Sequence, residues 1–167
     1  MLKKLPDVPA LLIPFDPGGD LGWAVYRESR LVACGYGKHE AFLTKPVAEG
    51  NLTGGVFLVE IPISYPGEKS ERDPNDLIKT GFRAGELTQL YRMCGMECES
   101  VLPVQWKGNI SKAITQERLL DKLDEEERAL LYRSKSVRAK KLNHNMVDAC
   151  AMGLWRVRRW RGRPTNL

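Results

Sequence analysis

The sequence predicts an α/β fold in which a three-stranded meander precedes two further strands that alternate with helices. Three observations predict it. Short apolar runs at 10–16, 21–26 and 31–36 follow one another with only turn-type residues between them. A strongly apolar run, GGVFLVEIPIS, comes next, and apolar residues at helical spacing follow it over 75–91. The chain then closes on a helix over 143–160, apolar nearly all round from Met146 to Trp155. With 167 residues, 43% hydrophobic and 28% charged, the length suits one compact domain over 1–167 and is short for two.

The first run ends in Asp16 and then Pro17, Gly18 and Gly19, which reads as a buried strand entering a turn. RESR, between the second and third runs, suits a hairpin turn. Glu60 ends the fourth strand, and Pro62 and Pro66 forbid its continuation as a central strand. After the polar loop YPGEKSERDPN, Asn75 is placed to cap a helix whose apolar positions Leu77, Ile78, Phe82, Leu87 and Leu90 lie on the sheet. Residues 99–106 read as the last strand, and 114–123 and 125–132 as two short helices with charged faces.

Lys and Arg outnumber Asp and Glu by 26 to 21, for a net charge of +5. The halves differ more: residues 1–100 carry 11 basic and 14 acidic side chains, and 101–167 carry 15 and 7. A polyanion would settle on the C-terminal part. Candidate phosphate contacts there are Lys107, Lys112, the cluster Arg133, Lys135, Arg138, Lys140 and Lys141, and the basic tail RVRRWRGR, within about 156–167. Trp155 and Trp160, at helical spacing, are expected to pack on the core rather than on bases.

No run approaches the roughly 18 to 20 apolar residues of a membrane helix. The opening MLKKLPDVPALLIPF is interrupted by Pro14 and followed by Asp16, which is poor signal-peptide chemistry, so a cytoplasmic location is expected. Cys34, Cys94, Cys98 and Cys150 include no CxxC pair, and the chain has two histidines; reduced, mostly buried thiols are expected rather than a zinc site. The absence of GxxxxGK, HExxH and GxSxG weighs against P-loop, zincin and serine-hydrolase chemistry, and no nucleotide cofactor is expected.

Three acids sit where their surroundings do not require them: Asp16 after the first strand, Glu60 after the fourth, and Asp148 in the apolar opening of the last helix. Singly, each has an ordinary role in starting a turn, facing solvent from a strand end, or filling a helix's first turn. Together, carboxylates on adjacent strands and a neighbouring helix can hold hard divalent cations, which take oxygen ligands. Two such ions suit in-line displacement at a phosphodiester.

These residues carry a resemblance. FDPGGDLGWAVY resembles the first-strand motif of RuvC-type Holliday junction resolvases, and Glu60 in FLVEIPIS matches that family's Glu at the end of its fourth strand. VLPVQWKGNISKAI resembles the stretch before the family's third helix, and NMVDACAMGLW its final helix, with Asp148 as the closing acid. The correspondences run in order over residues 10–157 and suggest a phage-like member. The resemblance implies a ribonuclease H-like fold: a five-stranded mixed sheet, with a three-stranded antiparallel meander plus parallel strands, flanked by helices. It also implies an endonuclease that cleaves four-way DNA junctions with Mg²⁺ or Mn²⁺, two ions in all, by attack of water, leaving 5′-phosphate and 3′-hydroxyl ends.

One position departs from the family, which usually has an acid or a histidine three residues before the closing Asp. Here Asn145 stands there, with His144 beside it. An amide oxygen can ligate without adding charge and an imidazole can ligate or carry a proton, so either residue can substitute. By the same resemblance Lys107 and Lys112 fall where DNA-contacting lysines lie, and Tyr65 corresponds to an aromatic that stacks on an unpaired base. A homodimer is implied, with the 75–91 helix at the interface and Phe82 and Leu90 as candidate contacts. A broader nuclease for branched or duplex DNA is the alternative, followed by a non-catalytic DNA-binding module of the same fold.

Overall fold

The structure, a computed structural model, describes residues 7–38, 52–63, 73–135 and 141–160. Its elements run β1 (Leu11–Asp16), β2 (Leu21–Arg27), β3 (Arg30–Gly37), β4 (Val56–Glu60), α1 (Pro74–Met93), β5 (Glu97–Val101), α2 (Pro103–Trp106), α3 (Lys112–Lys122), α4 (Glu125–Arg133) and α5 (His144–Arg156). The strands form one sheet in the order β3-β2-β1-β4-β5. β1, β2 and β3 pair antiparallel, whereas β4 runs parallel to both β1 and β5. This is the mixed, helix-flanked five-stranded sheet that the sequence predicts, a three-stranded antiparallel meander plus parallel strands. No described helix is long and apolar enough to cross a membrane.

Alternation along the strands decides which side the acids face. Leu12 of β1 and Val56 and Leu58 of β4 join the core built with α3, α4 and α5. Leu11, Ile13, Phe15, Phe57 and Val59 point the other way, onto Ala84, Leu87 and Tyr91 of α1. Asp16 and Glu60 continue the Leu12 and Leu58 rows, so they fall on the face that α5 covers. The register Phe15↔Val59 leaves the two acids at neighbouring strand ends.

Local chemistry explains the boundaries. Glu28 and Ser29 take positive φ of 47° and 67°, the two-residue turn whose twist suits a hairpin. α1 is capped by Asp73 rather than Asn75: the Asp73 side chain accepts from the Asn75 backbone N–H at 2.9 Å, and Pro74 takes the first helical position. The helix packs through Ala84, Leu87 and Tyr91, leaving Ile78 and Phe82 69% and 68% exposed. Phe82 lies two residues from Ala84, roughly 200° around the helix, so the two cannot share a buried face. The last strand also differs from expectation, for β5 ends at Val101 and Pro103–Trp106 form a helical turn begun by the proline.

α5 is capped by Asn143, whose side chain accepts from the N–H groups of Asn145 and Met146 at 3.0 and 3.2 Å. It stops at Arg156 rather than near Trp160. Arg158 turns left-handed at φ 65°, which folds the chain back so that the N–H groups of Arg159 and Trp160 donate to the Leu154 carbonyl at 2.8 and 3.1 Å.

Glycines let α5 approach the sheet. A Cβ at Gly22 would meet the backbone carbonyl of Asn145, one at Gly18 the Asn145 side chain, and one at Gly153 the Tyr26 ring. The Tyr26 hydroxyl donates to the Cys150 carbonyl at 2.6 Å across the same contact. Gly22→Ala is therefore expected to destabilise the protein by about 3 kcal/mol, the upper end for overpacking, because the obstacle is backbone that cannot rotate away. Urea denaturation measures the loss. Wild-type stability in this variant would mean that α5 does not sit so tightly on β2.

Candidate active site

Asp16, Glu60 and Asp148 converge, and the residue that joins them is Lys107. Its ammonium lies 2.8 Å from Asp148 Oδ2, to which it donates, and 3.8 Å from Glu60 Oε2. Trp106 donates its indole N–H to the same Glu60 Oε2 at 2.7 Å, and Lys107 also lies over the Trp106 ring, 4.8 Å from its centroid. Trp106 ends the turn α2 and Lys107 caps it; the turn follows β5 and bends the chain back over the end of β4. Sequence reasoning put Lys107 among the phosphate contacts and assigned Trp106 nothing. The signal was present in Pro103: a proline just after a strand opens a helical turn, and the residues three and four places on return over the strand end.

Burial and mutual repulsion shape the electrostatics. Asp16 is only 9% exposed. Burial, then the Glu60 and Asp148 carboxylates, push it up to about 8, against the opposing pull of Lys107 and of the Gly18 N–H that bonds Asp16 Oδ1 at 3.1 Å. Glu60 is raised as well, chiefly by burial, although Lys107 and the Trp106 N–H draw it down. Lys107 is half-buried, which opposes its charge, but the carboxylates outweigh burial and hold its pKa above the usual lysine value. Among the described residues, the centre is a set of carboxylates compensated by one cation, Lys107.

The donor chemistry fits a hard divalent ion, since all three acids offer oxygen and the raised Asp16 is the group that added positive charge would relieve. Among the described residues, no three Asp, Glu, His or Cys side chains are gathered closely enough to hold an ion as they stand.

Asn145 is buried beside this set, and its amide donates to the Asp20 carbonyl, tying the glycine turn after β1 to the start of α5. His144 opens α5 and is exposed. Lys112 is exposed at the first position of α3, after the Ser111 cap. Arg133 and Lys141 are exposed and Lys135 half-buried, on either side of the segment 136–140. Tyr65, Arg138 and Lys140 lie outside the described residues, as do Arg161 and Arg163.

Two arginines of the basic tail have structural partners instead of open faces. Arg156 grips Glu99 of β5 through two 2.7 Å bonds and reaches the Asp7 carbonyl at 3.0 Å. Arg159 holds Glu127 through two more 2.7 Å bonds and also donates to the carbonyls of Ser29 and Lys122. Glu127 is buried, held below the usual carboxylate range by Arg159 and by the backbone N–H groups of Leu31 and Asp124, which outweigh its burial. Forked guanidinium–carboxylate pairs of this kind use up the donors that a phosphate would need. Trp160 is buried and Trp155 packs against the same core, as helical spacing predicted. All four cysteines are free, Cys34 and Cys150 buried, Cys94 and Cys98 only half-buried.

Among solved structures the chain is similar to Thermus thermophilus RuvC in complex with Holliday junction substrate. That match has 16% identity, covers 87% of this chain and 90% of that chain, and has a TM-score of 0.48. A second structure of Thermus thermophilus RuvC matches at 16% identity over 87% of this chain and 92% of that chain, with a TM-score of 0.46. No protein-family model matches the chain, and no curated protein does.

Proposed function

We propose that the protein is a divalent-metal-dependent endonuclease that cuts phosphodiester bonds in four-way DNA junctions, leaving 5′-phosphate and 3′-hydroxyl ends. The observation that carries the reading is the convergence of Asp16, Glu60 and Asp148, from two adjacent strand ends and a facing helix, around the Lys107 ammonium. A buried carboxylate group of this sort destabilises the fold that contains it, and holding cations against a polyanionic substrate is the use that accounts for it. The order of matching motifs along the sequence adds the substrate class.

Asp16, Glu60 and Asp148 hold Mg²⁺ or Mn²⁺, two ions in all, with Asn145 or His144 as the fourth group. When bound, the ions stabilise charge at the phosphate and favour the attack of water. Lys107 supplies fixed positive charge beside the cut phosphate. Asn145 keeps the glycine turn closed on α5 through Asp20, and so holds Asp16 in position against Asp148. Lys112, Arg133, Lys135 and Lys141 contribute phosphate contacts, joined by Tyr65, Arg138 and Lys140. The exposed Ile78 and Phe82 on α1, with Leu90, provide an apolar face for a second copy, and a two-fold dimer matches the two symmetric strands of a junction.

The test is cleavage of a synthetic four-way junction beside matched duplex, flap and single-stranded DNA, with Mg²⁺ or Mn²⁺ and with chelator. Paired symmetric nicks on the junction alone, lost in chelator, are expected. Equal cutting of all four substrates would replace the junction enzyme by a broader nuclease. Binding without cutting would leave a DNA-binding module.

A further inference from the structure

We infer that Trp106 is a positioning residue for Glu60, and that the chain end following α5 braces it through Trp160. Glu60 is the last residue of its strand, and a glutamate there has three side-chain torsions to restrict before its carboxylate can serve in a fixed geometry. The indole N–H fixes it. An indole is a donor only, so at 2.7 Å from Oε2 it commits that oxygen whatever the charge on the acid, and leaves Oε1 for the site. The ring itself is buried and meets Trp160 edge to face, with centroids 6.1 Å apart and planes at 62°.

Trp160 is in turn fixed from three directions. Its backbone N–H donates to the Leu154 carbonyl at 3.1 Å in the left-handed turn that ends α5. Arg159 beside it is locked onto buried Glu127, and the Arg118 guanidinium lies over its ring, 5.6 Å from the centroid. Glu127, Arg159, Trp160, Trp106 and Glu60 therefore form one continuous run of contacts from α4 to the site, on the face of the sheet that α5 covers. The RVRRW segment, which by charge alone reads as a DNA contact, works inward through its Trp.

The role rests on the nuclease reading, and the test separates the two. In a ¹⁵N-labelled full-length protein the Trp106 indole resonance is identified by its loss in Trp106→Phe. Glu60→Gln is expected to shift that resonance, and Trp160→Leu to shift it less. Trp106→Phe keeps an aromatic ring against Trp160 but removes the donor. It is expected to weaken Mn²⁺ binding, read by titration calorimetry, by about tenfold and to slow junction cleavage at saturating Mn²⁺ by about tenfold, with junction affinity unchanged within twofold. Added to Glu60→Gln, it is expected to cost nothing further in Mn²⁺ binding. An indole resonance indifferent to Glu60→Gln, wild-type Mn²⁺ affinity in Trp106→Phe, or an equal loss in the Glu60→Gln background would each overturn the positioning role, the last by showing a merely structural effect. A wild-type protein that neither binds Mn²⁺ nor cuts DNA would overturn the nuclease reading instead, and the role with it, even where the resonance still reports the contact.

Discussion

Asp16→Asn is expected to abolish cleavage, by at least about 10³-fold, while making the metal-free protein more stable at pH 8. The first effect follows from losing one of three anionic ligands: several kcal/mol of charge stabilisation at the phosphate, at about 1.4 kcal/mol per tenfold in rate. The second follows from the raised pKa. Below about pH 4 Asp16 is protonated in both folded and unfolded chains and contributes no pH dependence. Between there and about 8 the unfolded chain has released the proton and the folded one retains it, so wild-type stability declines as pH rises through this window. Asparagine cannot ionise and escapes that decline.

The gain at pH 8 is about 2 kcal/mol, limited because the new amide N–H₂ requires an acceptor in a buried place. It corresponds to roughly 4 to 8 °C in Tm for a protein of this size. It vanishes towards pH 4. Mg²⁺ or Mn²⁺ is expected to raise the wild-type Tm and to leave the variant's nearly unchanged, since only a state that binds the ion is stabilised by it. Calorimetry across pH 4 to 9, with and without the ion, reads all of this. A variant less stable than wild type at pH 8 would refute burial and repulsion as the source of the raised pKa, and retained cleavage would remove Asp16 from the mechanism.

Lys107→Met is expected to produce the opposite pattern. Methionine keeps the volume and the contact with Trp106 but takes away the ammonium that pairs with Asp148 and Glu60, leaving buried charge without that partner. Removing one member of a buried pair typically costs 3 to 5 kcal/mol; with the Lys107 side chain 19% exposed, about 3 kcal/mol is expected at pH 8. Lysine stays charged throughout, so the pH dependence of the loss comes from the acids. As pH falls towards 5, Asp16 and Glu60 take up protons, repulsion fades, and the deficit shrinks. Mn²⁺ is expected to restore part of the stability at pH 8. A deficit that is the same at pH 5 and pH 8 would mean that Lys107 acts through packing and not through charge.

The sequence by itself determined the strands of the meander to within about a residue and the start of the last helix, because each depends on local chemistry: an apolar run, a hairpin turn of polar residues, the onset of an apolar helical stretch. It also singled out Asp16, Glu60 and Asp148, since an acid in an apolar run is anomalous in any fold. Once Leu12 and Leu58 are known to share a core, period-two alternation carries both strand acids to one face. Which face that is, and what waits on it, came from tertiary structure alone. Lys107 and Trp106 read locally as the end of a strand and its solvated neighbour, and only the fold returns them to Glu60 and Asp148, 46 and 41 residues distant in the chain. Arg156 and Arg159 show the limit most plainly. In sequence they are indistinguishable from phosphate-binding arginines, and only their forked bonds to Glu99 and Glu127 set them apart. Hydrophobic alternation and capping act between near neighbours in the chain and are therefore written in it, whereas charge acts through space, and its partner is chosen by the fold.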